Sequence, residues 1–186
     1  MSQINTIIRS RKSIYPPQYI SKAIPKEIIE ELLENANHAP THRLTEPWRF
    51  KIFMDEKKEE LGKFLASKYS ETAEVVSEAK IEKIQNNAKK AGAVLAIVLH
   101  RDPKESVPEW EEIAAVACAV QNLWIACDQY EIGGYWSSPG YAKKLGEFVS
   151  LKQNEQCLGF FFMGYYQPTS HQVKKKPIAE KIEWFS

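Results

Sequence analysis

The 186-residue sequence lacks the features that mark several broad classes of protein. It has only three cysteines, none of them in a C-x-x-C pattern, which argues against a disulfide framework. No apolar stretch is long enough to span a membrane, and the first residues lack the apolar core of a signal peptide. The 25 Lys and Arg residues nearly cancel the 24 Asp and Glu residues, so no overall field points to nucleic acid or anionic lipid. We therefore expect a cytoplasmic protein that binds neither nucleic acid nor membranes.

The sequence also has none of the common catalytic signatures. G-x-S-x-G, Walker and G-x-G-x-x-G motifs are all absent from it. His38 and His42 have the spacing of many zinc ligands, but Pro40 breaks the helix that would align their rings. We therefore predict no metal site from these two histidines.

The composition, 44% hydrophobic and 26% charged, is that of an average globular protein, and the length predicts one domain over residues 1–186. Hydrophobic periodicity predicts these elements: a first helix to about Arg9, helices over Pro25–Asn37 and 109–131, two helices within 56–91, and strands over Arg49–Met54, Ala93–His100 and Cys157–Met163. Asp55 is expected to cap the helix after the first strand. Because helices dominate and only three or four strands are visible, the predicted fold class is α+β, with helices on a mixed or antiparallel sheet.

Two apolar segments raise the question of what they pack against. The helix over 109–131 is expected to end at Gly133-Gly134. The residues expected to face inward from it are Ile113, Ala117, Val120 and Trp124. Chain termini usually fray, yet the last residues of this chain include Ile178, Ile182, Trp184 and Phe185. This C-terminal stretch packs either on its own core or on a second subunit, and the sequence favours neither.

Four short stretches could carry chemistry. The basic and hydroxyl residues of Arg11-Lys12-Ser13 suit a phosphate or the carbonyl oxygens of a flavin, although a basic pair is usually a solvated surface. The polar loop from Asn37 into Pro47-Trp48 could present side chains to a cleft, or could be an ordinary connection. Residues 107–111 suit a helix start, for which capping is a sufficient explanation. The glycines of 133–140 let a flat ligand approach the backbone, or end a helix.

Taken in order, these stretches resemble motifs of the nitroreductase family of FMN-dependent oxidoreductases, especially its short YdjA-type branch. Arg11-Lys12-Ser13 resembles the family's R-R-S. Ala39-Pro40 with Pro47-Trp48-Arg49-Phe50 resembles A-P…Q-P-W-R-F, with His42 two residues after the proline. The remaining matches are Pro108-x-Trp110-Glu111, Gly133-Gly134-x-Trp136-x-Ser138 and Leu158-Gly159-Phe160…Met163-Gly164. The likeness covers about residues 3–168.

The resemblance implies a nitroreductase-like α+β fold with helices around a mainly antiparallel sheet, in a homodimer that holds FMN at its interface. The residues that it places at the FMN are Arg11, Lys12 and Ser13 at the phosphate and ring, His38 and His42 from the adjacent loop, and Trp136, Ser137 and Ser138 around the cofactor. It also implies a ping-pong reaction in which NAD(P)H reduces FMN and the flavin then reduces a nitroaromatic, a quinone or a similar small molecule. The cofactor carries the chemistry, so no catalytic side chain is expected.

The sequence departs from the family pattern at several positions. Lys12 replaces an arginine and so lacks the planar guanidinium, and Glu46 replaces a glutamine. Ser137 stands where the short branch has a basic residue. Thr169-Ser170-His171 stands where many relatives have another basic residue, and a basic cluster, Lys174–Lys176, follows it.

Two alternatives to an oxidoreductase remain at this point. One is a flavin-binding protein with little turnover that stores or senses FMN. The other is a protein that binds no ligand and keeps these motifs as structural remnants. Both differ from an enzyme in whether NAD(P)H reduces a bound flavin.

Overall fold

Five α-helices and four strands form the core of the described chain, residues 2–167 and 175–185 of a computed structural model. The helices are α1 Gln3–Ser10, α2 Lys26–Asn37, α3 Asp55–Thr72, α4 Glu78–Lys90 and α5 Glu109–Ala126. The strands are β1 Trp48–Phe53, β2 Ala93–His100, β3 Ile132–Ser137 and β4 Glu155–Tyr165. Within these residues no helix combines the length and the apolarity needed to cross a membrane.

The four strands form one sheet in the order β1-β2-β4-β3, and every neighbouring pair is antiparallel. The two central strands are almost wholly buried because helices cover both faces of the sheet. Helices α2 and α5 pack on one face, while α3, α4 and the 3₁₀ segment Gly140–Glu147 pack on the other. This arrangement confirms the predicted α+β class with helices around a mainly antiparallel sheet.

Most predicted elements are confirmed, with small shifts at their ends. Strand β2 has the predicted bounds, and the tract over 56–91 divides into α3 and α4 as expected. The expected cap at Asp55 is wrong, because α3 already begins at this residue and no side chain caps it. Pro25 likewise precedes α2 as its N-cap instead of starting the helix.

Helix α5 is shorter than predicted, and it faces the core with different residues. It ends at Ala126 and passes into a 3₁₀ turn, Cys127–Tyr130. The prediction that Ile113 and Ala117 face inward is wrong, since both are exposed. The apolar side chains that α5 buries are Ala115, Val116, Ala119, Val120 and Leu123. The helix is apolar on both faces, so periodicity alone could not separate them.

The expectation that Gly133-Gly134 ends a helix is also wrong, because both glycines lie inside β3. A Cβ at Gly133 would lie 2.5 Å from Cβ of Ile14, and one at Gly134 would lie 2.5 Å from Cζ of Phe161. The strand therefore packs too closely on both sides to carry side chains here. Glycine is depleted in strands, which is why β3 was not predicted from the sequence.

The C-terminal segment 175–185 does not pack on the body of its own chain. All of its residues are exposed, with Trp184 at 86% and Phe185 at 87%. The alternative in which it covers its own core is therefore wrong for these residues. Lys174 and the Thr169-Ser170-His171 segment lie outside the described residues.

Gly159 in β4 packs closely against Trp136 and the end of β3, and a substitution there tests how tight this packing is. It lies beside an irregularity in the β2–β4 register, its φ is +141°, and a Cβ there would collide with the carbonyl oxygen of Ser137 and with Nε1 of Trp136. We predict that Gly159→Ala lowers the free energy of unfolding by about 2–4 kcal/mol, because strain and overpacking add. Chemical denaturation measures this loss. Gly140→Ala is the control, since a Cβ at Gly140 meets nothing within 4 Å, and equal losses in both variants would contradict the prediction.

Candidate functional site

The Arg11-Lys12-Ser13 segment runs along the free edge of β3. Ser13 forms a parallel bridge with Gly134, and the backbone N–H of Ile14 donates to the carbonyl oxygen of Gly134 at 3.1 Å. Ile14 packs against the bare backbone of Gly133. The two glycines thus bring the basic segment close against the sheet.

The Arg11 side chain stacks on an aromatic ring of α5. Its guanidinium carbon lies 4.5 Å from the centre of the Trp124 ring, a cation–π arrangement. Trp124 in turn meets the buried ring of Phe161 edge-on, at 5.2 Å between centroids. Nη1 of Arg11 is buried and has no hydrogen-bond partner within residues 2–167 and 175–185. Buried donors are normally satisfied, so this atom calls for an acceptor from outside the described chain.

Two tryptophan N–H groups are in the same condition as Arg11. Nε1 of Trp124 and Nε1 of Trp136 are both buried without an acceptor in the part of the chain that the structure describes. Trp136 lies on the α5 side of the sheet, with its indole nitrogen over Gly159. This face of the sheet therefore combines flat aromatic surface with three unsatisfied donors.

The cleft at Arg11 is small in a single chain. Its volume is about 20 Å³, and its lining includes Arg11, Trp124, Asp128, Gly133 and Tyr166. Pockets for organic ligands usually measure about 300–1,000 Å³. The cleft of one chain by itself is therefore too small to hold an organic ligand.

The other predicted residues of β3 and its following loop are placed differently from Trp136. Successive side chains of a strand point to opposite faces, which puts Ser137 on the α3–α4 side of the sheet. Ser138 is exposed just beyond the strand, and Lys12 is half-buried. Of the predicted residues, Arg11, Ser13 and Trp136 are those that the structure arranges along β3 toward α5.

His38 and His42 lie in a separate part of the chain. His38 ends α2, and its Nε2 is 3.2 Å from Oε1 of Glu34. Nδ1 of His42 is 2.5 Å from Oε2 of Glu111, in the first turn of α5. Trp124 lies thirteen positions after Glu111, which is about 20 Å along the helix axis. A single chain therefore holds His42 and Arg11 near opposite ends of α5.

Two residues at these ends were not assigned a role in a site from the sequence. Trp124 was predicted only as a core residue, and Glu111 as part of a helix start and of the Pro108-x-Trp110-Glu111 motif, without a role. In the described part of the chain no side chain caps α5; Glu111 contacts His42, while buried Glu112 accepts from the backbone N–H of Asp102 at 2.9 Å. Both contacts cross between distant segments, and no local sequence pattern signals them.

Comparison with known proteins identifies the family. The model described as "Nitroreductase family" matches residues 8–165. The chain belongs to the nitroreductase family. This confirms the resemblance stated from the sequence motifs.

Relatives and a solved structure agree with this assignment. The Bacillus subtilis (strain 168) protein named Putative NAD(P)H nitroreductase YfhC is 29% identical over 97% of this chain and 93% of its own length. The Escherichia coli (strain K12) protein named Putative NAD(P)H nitroreductase YdjA is 24% identical over 74% of this chain and 75% of its own. A crystal structure of a nitroreductase with bound FMN from Bacteroides fragilis NCTC 9343 superposes with a TM-score of 0.73, at 17% identity and over 100% of both chains. The last comparison supports the fold.

Proposed function

We propose that this member of the nitroreductase family is an FMN-dependent NAD(P)H oxidoreductase that works as a homodimer with two flavin sites. The observation that carries the proposal is the Arg11 guanidinium, which lies over the Trp124 ring with its buried Nη1 unsatisfied among the described residues. The names of the relatives and the FMN bound to the Bacteroides fragilis neighbour support it.

The residues present fit FMN. Its phosphate and ring carbonyl oxygens are acceptors, and the site offers the buried donors of Arg11, Trp124 and Trp136. Its flat ring suits the aromatic face and the glycines of β3. Bound FMN would supply two-electron chemistry, taking a hydride from NAD(P)H and reducing a nitroaromatic, a quinone or a similar acceptor in a ping-pong cycle.

The chain's own residues would hold and orient the cofactor. Arg11, Lys12 and Ser13 would contact its phosphate and ring, with the Arg11 guanidinium fixed by Trp124 so that it stabilises negative charge beside it. Trp136 would border the ring from β3 and Ser138 from the loop after it, while Ser137, whose side chain lies on the opposite face of the sheet, would contribute through its backbone. His38 and His42 would reach the flavin from the partner chain, because their own chain keeps them away from Arg11.

Helix α5 supports the dimer. Besides the face that packs on the sheet, it has an exposed stripe made of Ile113, Ala114, Ala117, Cys118 and Gln121. A helix that is apolar on both faces is stable only when both are covered. A second α5, packed antiparallel about a two-fold axis, would cover this stripe. It would also bring the His42 end of one chain to the Arg11 end of the other.

The exposed tail supports the same assembly. Strand β1 is an edge of the sheet with no further strand beside it among residues 2–167 and 175–185, and Ile52 on it is 42% exposed. A groove of about 760 Å³ runs beside it, with an apolar lining that includes Ile29, Leu33, Ile52 and Met54. We propose that the C-terminal segment of the partner chain fills this groove with the apolar side chains that its own body leaves exposed.

A charge on the α5 stripe tests the dimer. We predict that Ala117→Glu weakens dimerisation by at least about 100-fold, since the interface would bury an unpaired carboxylate. FMN binding should be lost with it. Sedimentation and FMN fluorescence quenching measure the two effects. Ala79→Glu, at an exposed position in the first turn of α4, is the control, and a dimeric Ala117→Glu protein would contradict the assembly.

Removal of the Arg11 guanidinium tests the flavin contact. Arg11→Ala should weaken FMN binding by about 1–3 kcal/mol, the usual worth of a charge-assisted hydrogen bond. Titration of the apoprotein with FMN gives the dissociation constant. Arg9→Ala removes the same charge from exposed α1 and should change it little. An unchanged constant in Arg11→Ala would contradict the assignment of this residue.

The redox cycle tests the function itself. We expect the purified protein to show a flavin spectrum that NADPH or NADH bleaches without oxygen and that a quinone then restores. Bound flavin that stays oxidised would contradict the enzyme and favour a storage or sensing protein. A protein that takes up no FMN would contradict both and leave a ligand-free interaction protein.

A further inference from the structure

The loop between α2 and β1, residues 38–47, has a backbone that needs external support. Three non-glycine residues in it have left-handed φ angles: Arg43 at 53°, Leu44 at 55° and Glu46 at 42°. Each such residue typically costs about 1–3 kcal/mol and persists only where the surroundings enforce it. Contacts must therefore hold the loop in this shape.

Some of these contacts lie within the loop. The hydroxyl oxygens of Thr41 and Thr45 are 3.1 Å apart, and the backbone N–H of Glu46 donates to Oγ1 of Thr41 at 3.3 Å. They close the loop on itself, but they do not fix its direction relative to α5.

Two further contacts tie the loop to the start of α5. Nη1 of Arg43 donates to the carbonyl oxygen of Ser106 at 3.0 Å, and His42 contacts Glu111. The Ser106 carbonyl sits in a short loop that Asp102 organises by accepting from the Ser106 hydroxyl and from the backbone N–H groups of Lys104 and Ser106. These bonds, chiefly the one from Ser106, lower the pKa of Asp102. Loop 38–47 therefore contacts a segment that is itself ordered by hydrogen bonds to Asp102.

The contact between His42 and Glu111 fixes the imidazole ring. A carboxylate only accepts, so Nδ1 of His42 is the donor at 2.5 Å. The Glu111 side chain is 24% exposed and that of His42 is 57% exposed, so the carboxylate lies behind the ring. The contact of His42 with Glu111 uses Nδ1 alone, and the His42 side chain is largely exposed, so among the described residues Nε2 is open to solvent or to a ligand.

We infer that Glu111 is a positioning residue of the flavin site: it holds the His42 imidazole so that Nε2 faces the cofactor bound by the partner chain. The inference rests on the proposed function, which places the His42 end of α5 at the partner's Arg11 end. Glu111 itself does not touch the cofactor in this arrangement. Its effect on FMN binding must therefore pass through His42.

A double-mutant cycle on the full-length dimer tests this dependence, with FMN affinity read from fluorescence quenching. We expect Glu111→Ala to raise the FMN dissociation constant about tenfold, as for loss of one bond to a charged group, and Glu111→Gln to restore most of the affinity by keeping an acceptor oxygen. In a His42→Ala background, Glu111→Ala should have no further effect. A merely structural role would instead make the two losses additive.

A second acidic residue in the first turn of α5 provides the control. Glu109→Ala removes another first-turn acid of α5, one without a hydrogen bond or ion pair among the described residues, and should leave FMN affinity unchanged. Additive losses, or unchanged affinity in Glu111→Ala, would overturn the inference while the proposed function stands. A wild-type dimer that binds no FMN would overturn both. If Glu111→Ala does not fold, the cycle is run with Glu111→Asp, whose shorter side chain withdraws the carboxylate from His42, and additivity there contradicts the inference equally.

Discussion

Helix α5 is apolar on two opposite faces, and the rest of the structure depends on how both faces are covered. One face closes the core against the sheet and α2. The other carries small and apolar side chains, such as Ala114 and Ala117, that let another backbone approach closely. The same helix carries Glu111 at its start and Trp124 near its end, so whatever covers its outer face also decides what those two ends meet.

Attraction of an anionic ligand by this chain depends on the position of single charges and not on its net charge. A net charge of +1 offers no long-range attraction for an anion, yet the Arg11 guanidinium lies over the Trp124 ring with a buried nitrogen unsatisfied among the described residues. Electrostatic interactions strengthen where water is excluded, so a single fixed cation outweighs many solvated lysines. The absence of a side chain at Gly133 is necessary for this site, because a side chain there would displace Ile14 and with it the segment that carries Arg11.

Sequence patterns predicted the elements whose environment is uniform. The run Ala93–His100 is buried on both faces, and its β-branched residues allowed only a strand. Strand β3 was missed because close packing required glycines, which usually end elements. Likeness to family motifs predicted Arg11, Ser13 and Trp136 as site residues, and the fold does bring these three together along β3, on the side of the sheet that faces α5. The supporting Trp124 was out of reach, since its contact with Arg11 joins positions more than a hundred residues apart.

There is a physical reason why residues that contact the ligand were predicted from the sequence while the supporting roles of other residues were not. When a cofactor carries the chemistry, the protein contributes mainly position, and position is set by the residues behind those that touch the ligand. Trp124 stands behind Arg11, Gly159 behind Trp136, and Glu111 behind His42. A ligand dictates which atoms must face it, so contacting residues recur as motifs. Glu111 and Gly159 stand within motifs that resemble those of the family, but the residue that each one supports lies far away in the sequence, so their supporting roles emerge only from the structure.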